Sequence, residues 1–155
     1  MFQEFATLLT LINTIAYNID MEIEAVPVEQ LMTTDLVTVS PGVDVKTAAG
    51  TILEQEAGSL VVLDADDHVS GILTCTDLTA LVSEGALPTD ATVGDYMTED
   101  VTTTAPQESI QDAAVKMITR QIQHLPVVDD EEVVGMLSTT DLTSHLTYMD
   151  SSGTE

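Results

Sequence analysis

An eight-residue sequence that occurs twice constrains the fold more than any other feature of the chain. Residues 71–78 read GILTCTDL, and residues 135–142 read GMLSTTDL. Two other stretches recur in the same order, LMTTDLVTVSP (31–41) as YMTEDVTTTAP (96–106) and LVVLD (60–64) as LPVVD (125–129). A repeat of about 65 residues is long enough for a whole supersecondary unit, so the sequence predicts one unit built twice.

Each copy predicts the order strand, helix, strand, strand, helix. The first helix is predicted from apolar residues at positions i, i+3, i+4, i+7 and i+8, which form one face. These residues are Val45, Ala48, Ala49, Ile52 and Leu53 in copy 1, and Ile110, Ala113, Ala114, Met117 and Ile118 in copy 2. Asp44 and Ser109 precede the two helices and are predicted N-caps. Gly58 is predicted to end the helix of copy 1 in a left-handed turn.

The strands are predicted from short apolar or β-branched runs, at 36–39, 59–63 and 69–74 in copy 1 and at 101–104, 125–128 and 133–138 in copy 2. A last helix is expected to start near Thr76 and Thr140. Neither small sheet can cover both of its faces alone, so the copies are expected to pack together. The predicted fold class is therefore α+β, with two β-α-β-β-α repeats packed as an intramolecular pseudo-twofold pair.

The predicted organisation has five parts. They are an N-terminal amphipathic extension (1–27), copy 1 (28–83), a linker (84–91), copy 2 (92–147) and an acidic, polar tail (148–155). Apolar residues at helical spacing occupy the first twenty positions, without the features of a signal peptide or the length to span a bilayer. Two interpretations of this segment stay open: a helix that packs on the module or on a partner, or sequence upstream of a start at Met21.

The charge balance is extreme, with 27 acidic residues against 3 basic ones and a net charge of −24. At ordinary salt such a surface repels itself, whereas molar salt screens the repulsion. The balance therefore predicts adaptation to a salt-rich cytoplasm, as in halophilic archaea; a merely soluble acidic protein is the alternative. Lys46, Lys116 and Arg120 cannot form a phosphate-tracking patch, which excludes nucleic acid and anionic membranes as partners. Cys75 is alone, so no internal disulfide is possible.

The ordered, repeated set of motifs resembles the CBS domain, named after cystathionine β-synthase, in its paired (Bateman) form. The residues that carry the resemblance are MTTDLVTVSP, GSLVVLD and GILTCTDL in copy 1, and MTEDVTTTAP, HLPVVD and GMLSTTDL in copy 2. The resemblance covers residues 28–147. It implies a regulatory module that binds an adenosyl ligand (AMP, ADP, ATP or S-adenosylmethionine) in two clefts between the repeats. It also implies a homodimer and an effector protein that the sequence does not name.

The resemblance implies two sets of ligand-binding residues, each combining the hydroxyl-x-x-Asp motif of one copy with strand entrances. The first set is Thr33, Asp35, Val37, Ala57, Gly58, Ser59, Ser138, Thr140 and Asp141. The second set is Thr98, Asp100, Val101, Ile122, Gln123, His124, Pro126, Thr74, Thr76 and Asp77. Copy 1 has Val61 where copy 2 has Pro126, so the two clefts need not bind equally.

The chemistry of the repeated motif supports a polar ligand independently of the resemblance. A helix N-terminus with hydroxyl groups suits phosphate or other polar atoms, and an aspartate can accept both ribose hydroxyls. The alternative is that Asp77 and Asp141 only cap the last helices. Because basic residues are so few, a ligand with little negative charge is favoured, such as S-adenosylmethionine or adenosine, or else a phosphate accompanied by K⁺ or Mg²⁺.

The sequence argues against catalysis and against a metal site, and it leaves a scaffold role open. Ser138, Asp141 and His145 do not have the geometry of a nucleophile, base and orienting group, so no catalysis is expected and no catalytic residue is assigned. The turn DADDH (64–68) lacks the alternating ligands of a calcium loop, so neither a metal site nor a cofactor is expected. A paired module without ligand, serving as a scaffold or interaction subunit, is the alternative to ligand sensing.

Overall fold

The computed structural model describes residues 2–18 and 26–152. Its helices are α1 Phe2–Asn18, α2 Val45–Gln55, α3 Cys75–Glu84, α4 Val93–Tyr96, α5 Ile110–Arg120 and α6 Thr139–Ser152, with a 3-10 turn at Val28–Gln30. Its strands are β1 Thr38–Val39, β2 Ser59–Leu63, β3 Val69–Thr74, β4 His124–Asp129 and β5 Glu132–Ser138. Strands β1, β2 and β3 form one sheet in that order, and β4 and β5 form another.

The predicted first strands are longer than the observed ones. Of 36–39, only Thr38 and Val39 form β1, which pairs parallel with β2. Of 101–104, only Thr104 makes a bridge, to Val127. The remaining pairs of β-strands and the α2, α3, α5 and α6 helices lie where the sequence predicts them, within one or two residues.

The predicted N-caps are confirmed, but the predicted end of α2 is wrong. The carboxylate of Asp44 accepts from the Thr47 amide at 2.9 Å, and the hydroxyl of Ser109 accepts from the Asp112 amide at 3.1 Å. The left-handed residue after α2 is Glu56 (φ 51°) rather than Gly58, and Gln121 (φ 56°) has the same role after α5. Helix α2 therefore ends two residues earlier than Gly58 indicates, because Glu56, a non-glycine residue, adopts the left-handed conformation.

The predicted apolar face of α2 is also narrower than expected. Val45, Ala48 and Ile52 are buried, but Leu53 is 79% exposed. In α5 the corresponding face is buried as far as Met117, with Ile118 half-buried. Three buried residues over two turns are therefore enough for α2 to pack on its small sheet.

The described chain divides into two compact units that do not follow the two copies. Unit 1 contains the described residues up to 33, 102–127 and from 135, and unit 2 contains 34–101 and 128–134. The segment at the start of each copy, which we call its lead-in (27–33 and 92–98), therefore belongs with the rest of the other copy. Pro27 bridges Ser109 and Thr33 bridges Met136 in unit 1, while Asp44 bridges Thr92 and Ile72 bridges Thr98 in unit 2.

The core of unit 2 lies between its three-stranded sheet and α2. It is aliphatic, and its central residues are Ala48, Ile52, Leu60, Val62, Leu73 and Val93. Strand β2 is buried almost throughout, with β3 antiparallel to it and Ser59 opposite Thr74. The continuous apolar run of β2 thus has the burial that such a run predicts.

Unit 1 buries a similar aliphatic set from α5, β4, β5 and α6. It includes Ile110, Ala113, Ala114, Met117, Leu125, Val127, Leu137 and Leu142. The lead-in contributes Val28, whose amide donates to the Glu108 carbonyl at 2.8 Å. This residue anchors the lead-in to the loop before α5.

A polar cluster holds the segment before α5, where copy 2 lacks a strand. One carboxylate oxygen of Glu108 accepts from Lys116 Nζ at 2.8 Å and from the Thr104 hydroxyl at 2.7 Å. Lys116 also donates to the Thr103 carbonyl at 3.1 Å. Burial by itself raises the pKa of Glu108, but the hydrogen bonds from Lys116 and Thr104 outweigh it and leave the pKa below its ordinary value.

Replacing Glu108 with glutamine should destabilise the fold by about 1 kcal/mol at neutral pH, because a charge-assisted contact is lost. Because the pKa of Glu108 is lower in the folded state than the unfolded-state pKa of 4.5, the ionised carboxylate stabilises the fold above pH 4.5. This stabilisation is lost as the pH falls through the folded-state pKa. The difference between wild type and Glu108→Gln should therefore shrink below pH 4.5. Urea unfolding in molar KCl from pH 3 to 7 measures it, with Lys46→Met as a control for loss of an exposed charge. A difference that stays constant with pH would contradict the assignment.

The N-terminal segment forms α1, as its spacing predicts. Phe5, Leu8, Leu9 and Ile12 are half-buried, while Leu11 is 45% exposed. Met21, the alternative start that the sequence leaves open, lies outside the described residues, as does the end of the polar tail (153–155). Among the described helices, none is long and apolar enough to cross a membrane.

Candidate ligand-binding sites

The loop between β3 and α3 in unit 2 places a carboxylate at a helix N-terminus. Thr74 is the N-cap of α3, and its amide donates to Asp77 Oδ2 at 2.8 Å. The Thr74 hydroxyl also donates to Oδ2, at 3.2 Å. This reciprocal capping box is the local reason why the hydroxyl-x-x-Asp sequence starts a helix. The capping role that the sequence left open is therefore present.

The lead-in of copy 2 reaches the same loop. Thr98 and Ile72 exchange two backbone hydrogen bonds of 2.9 and 3.0 Å, and the Thr98 hydroxyl donates to Asp77 Oδ1 at 3.1 Å. Gly71 permits this approach, because a Cβ atom there would lie 2.5 Å from Met97 Sδ and 3.0 Å from the Thr98 carbonyl oxygen. The methionine of a lead-in therefore packs directly against the glycine of the other copy's motif.

Ser59 lies beside this loop at the start of β2. It is opposite Thr74 in the register, and its side chain is 7% exposed. Its hydroxyl is buried without a hydrogen-bond partner among the described residues. A buried hydroxyl normally has a partner, so Ser59 is a group that a ligand atom or a water molecule could satisfy.

Unit 1 has the corresponding arrangement at the start of α6. The Ser138 amide donates to Asp141 Oδ2 at 2.8 Å, and the Asp141 amide donates to the Ser138 hydroxyl at 3.1 Å. Thr33 and Met136 exchange two backbone hydrogen bonds of 2.9 Å each. A Cβ atom on Gly135 would lie 2.6 Å from Met32 Sδ, as in unit 2.

His124 begins β4 in unit 1, next to this loop. The amide of Thr139 donates to the carbonyl of the preceding residue, Gln123, at 3.0 Å. Burial lowers the pKa of His124 below its ordinary value, although the carboxylate of Asp141 acts in the opposite direction. The imidazole is therefore a neutral group with both a donor and an acceptor at pH 7.

The two predicted sets of site residues are each divided between the units. Unit 1 holds Thr33, Ser138, Thr140 and Asp141 of the first set and Ile122, Gln123, His124 and Pro126 of the second. Unit 2 holds Asp35, Val37, Ala57, Gly58 and Ser59 of the first set and Thr74, Thr76, Asp77, Thr98, Asp100 and Val101 of the second. The structure brings together Thr98 with Asp77, which the sequence had placed in the same set, and His124 with Asp141, which it had placed in different sets. It thereby defines one carboxylate-centred cluster in each unit.

The exposure of the other predicted residues differs. Thr76, Thr140, Asp35, Asp100 and Gly58 are exposed, Val37, Ala57, Val101 and Ile122 are half-buried, and Pro126 is buried within β4. The amide of Thr104 donates to the Pro126 carbonyl at 3.0 Å, so Pro126 has a structural role in the sheet. Over residues 2–18 and 26–152, no group of three metal-ligating side chains converges.

Two features of these clusters are not predicted by the sequence. One is the side-chain contact between Thr98 and Asp77, which lie 21 residues apart. The other is the unpaired hydroxyl of Ser59. The recurrence of Met-Thr and of Gly-x-Leu in both copies is a signal for the first, but it does not show which hydroxyl reaches a carboxylate.

The chain belongs to the CBS domain family, which matches it over residues 28–84 and 93–148. An uncharacterised 17.7 kDa protein of Acidianus ambivalens is 34% identical over 119 residues, which are 76% of this chain and 71% of that protein. A homoserine O-acetyltransferase of Methanohalobium evestigatum is 33% identical over 116 residues. These are 74% of this chain, but the chain spans only 23% of that enzyme's length.

Solved structures show the same fold. An uncharacterised conserved protein of Pyrococcus horikoshii is similar with a TM-score of 0.73 and 30% identity, over 81% of this chain and 94% of that one. The CBS domain pair of protein MJ0100, solved in complex with 5′-methylthioadenosine and S-adenosyl-L-methionine, has a TM-score of 0.75 and 23% identity. This likeness covers 81% of the present chain and 98% of the MJ0100 chain. The α+β fold of a CBS domain pair is thereby confirmed.

Proposed function

We propose that the chain is a regulatory module that senses an adenosyl compound and modulates a partner protein. The observation that carries the proposal is the pair of carboxylates, Asp77 and Asp141, each held at the start of a helix by a backbone amide. A carboxylate fixed in this way presents its remaining acceptor positions to ribose hydroxyls without loss of side-chain entropy. The adenosyl ligands of the similar MJ0100 domain pair support the same class of ligand.

The few cations of the chain favour a ligand with little negative charge. Lys116 is bound to Glu108 and the Thr103 carbonyl, and His124 is neutral at pH 7 because burial lowers its pKa. A triphosphate would then meet a surface of net charge −24 with few positive groups to bind it. 5′-Methylthioadenosine, adenosine and S-adenosylmethionine are therefore favoured over ATP, unless K⁺ or Mg²⁺ accompanies the phosphates.

An enzymatic function receives no support from the acetyltransferase relative. The shared region is 23% of that enzyme. A scaffold without ligand is the second candidate, and the capping contacts of Asp77 and Asp141 are the observation that favours it, since caps need no ligand. The homodimer, the effector and a cytoplasmic location stay predictions.

Thermal unfolding with added ligand separates sensing from scaffolding. In molar KCl, a hundredfold excess of 5′-methylthioadenosine over its Kd should stabilise the fold by about 2.7 kcal/mol. For a chain of this size the melting temperature should rise by about 5–10 °C. The same series includes S-adenosylmethionine, AMP and ATP with and without Mg²⁺, and 2′,3′-dideoxyadenosine serves as a control that lacks both hydroxyls. If no compound raises the melting temperature, the module is a scaffold.

A further inference from the structure

The two carboxylates differ in how many of their acceptor positions the protein already uses. A carboxylate has about four such positions. Asp77 accepts three hydrogen bonds, from the Thr74 amide at 2.8 Å, the Thr74 hydroxyl at 3.2 Å and the Thr98 hydroxyl at 3.1 Å. Asp141 accepts one within the described part of the chain, from the Ser138 amide at 2.8 Å.

The difference comes from side chains, because the backbone is alike in the two units. Thr33 makes the same pair of backbone hydrogen bonds with Met136 that Thr98 makes with Ile72. The Thr98 hydroxyl nevertheless points to Asp77 Oδ1, whereas the Thr33 hydroxyl is not among the donors to Asp141 in residues 26–152. Ser138 differs from Thr74 as well. Both hydroxyls accept from the amide of their aspartate, but in residues 26–152 only the Thr74 hydroxyl also donates to the carboxylate.

A ribose with two free hydroxyls needs two acceptor positions on one carboxylate. Asp141 offers them directly, but Asp77 has about one left and must first lose the contact with Thr98. We infer that Asp141 is the primary ribose-binding carboxylate and that the Thr98 hydroxyl weakens the Asp77 site by occupying the group that would bind the ligand. This inference rests on the proposed function. It adds that Thr98 makes the affinity of the Asp77 site lower than that of the Asp141 site.

The expected size follows from the value of one hydrogen bond to a charged group. Binding at Asp77 exchanges the Thr98 contact for one with the ligand, whereas binding at Asp141 adds contacts without loss. The resulting difference in affinity is about tenfold. Because Thr98 is exposed, its hydroxyl returns to water when it is displaced, so the restraint is reversible.

Single-site variants isolate each carboxylate for calorimetry with 5′-methylthioadenosine in molar KCl. Asp141→Asn leaves the Asp77 site, and Asp77→Asn leaves the Asp141 site; asparagine keeps an oxygen to cap the helix. The site in Asp77→Asn should bind about tenfold more tightly than the site in Asp141→Asn. Adding Thr98→Val to Asp141→Asn should tighten binding about tenfold, because valine has the shape of threonine without the hydroxyl. The matched change, Thr33→Val in Asp77→Asn, should not tighten it.

The outcomes separate the inference from the function on which it rests. Equal or weaker binding after Thr98→Val, with the ligand still bound, would overturn the inference alone and assign Thr98 as a positioning group for Asp77. Binding by neither single variant nor wild type would overturn the proposed function together with the inference. Circular dichroism of each variant shows that it is folded before it is titrated.

Discussion

Replacing Asp141 with alanine should weaken the binding of 5′-methylthioadenosine by about 10- to 150-fold, as measured by calorimetry in molar KCl. The change removes charge-assisted hydrogen bonds to ribose that are each worth about 1.5–3 kcal/mol. It also removes the oxygen that accepts from the Ser138 amide at 2.8 Å, so the fold should lose about 1 kcal/mol of stability. Asp141→Asn should keep most of that stability and lose most of the affinity.

Asp95 provides a matched control for the capping effect. It lies in the first turn of α4, and its Oδ2 accepts from the Thr92 amide at 3.2 Å, as Asp141 Oδ2 accepts from the Ser138 amide. Asp95→Ala should therefore remove an equivalent capping contact and leave ligand affinity unchanged. If Asp141→Ala lowers the melting temperature while affinity stays at the wild-type value, the carboxylate is only a cap and the ribose-binding role is wrong.

Diluting KCl from molar concentration toward 0.1 M should lower the melting temperature by about 10 °C or more. The Debye length grows from about 3 Å to about 10 Å over this range, so carboxylates on neighbouring turns begin to repel one another. The chain carries a net charge of −24. Among the described residues, the lysine or arginine ion pair that opposes this repulsion is Lys116–Glu108 at 2.8 Å.

The salt experiment needs a control for general stabilisation by excluded solutes. Sucrose at 0.1 M KCl stabilises a fold without screening charge, so it should restore less stability than KCl does. A melting temperature that is the same in low and molar salt would show that the acidic surface is not an adaptation to salt. The protein would then be an ordinary acidic protein.

Most of the fold could be predicted because the copies are consistent with each other. The helical faces, the N-caps Asp44 and Ser109 and the buried run of β2 each depend on local pattern, and duplication makes each pattern visible twice. The end of α2 could not be predicted from Gly58, because Glu56 adopts the left-handed conformation instead. The absence of a full first strand in copy 2 could not be predicted either, since VTTT has high β propensity. The contacts of Glu108 with Lys116 and Thr104, and of Lys116 with the Thr103 carbonyl, hold the segment instead.

The candidate sites were predictable as residue types but not as contacts. The hydroxyl-x-x-Asp motif indicates a capped helix and a carboxylate, and both are present at Thr74–Asp77 and Ser138–Asp141. The number of donors on each carboxylate depends on rotamers and on the lead-in of the other copy, which sequence spacing does not report. The difference between Asp77 and Asp141 therefore becomes visible only in three dimensions.

The exchanged lead-ins also govern the order in which a ribosome can complete the fold. Thr33 is synthesised about a hundred residues before Met136, the residue with which it exchanges hydrogen bonds. Unit 2 draws most of its residues from the continuous stretch 34–101, so it can gain most of its contacts while the second copy is still being made. Unit 1 must wait until residues from 135 onward emerge, and Thr33 stays without its partner Met136 throughout that time. A nascent chain that stalls within the second copy thus exposes an unfinished unit 1. A fragment that contains one copy alone lacks the residues with which its lead-in pairs.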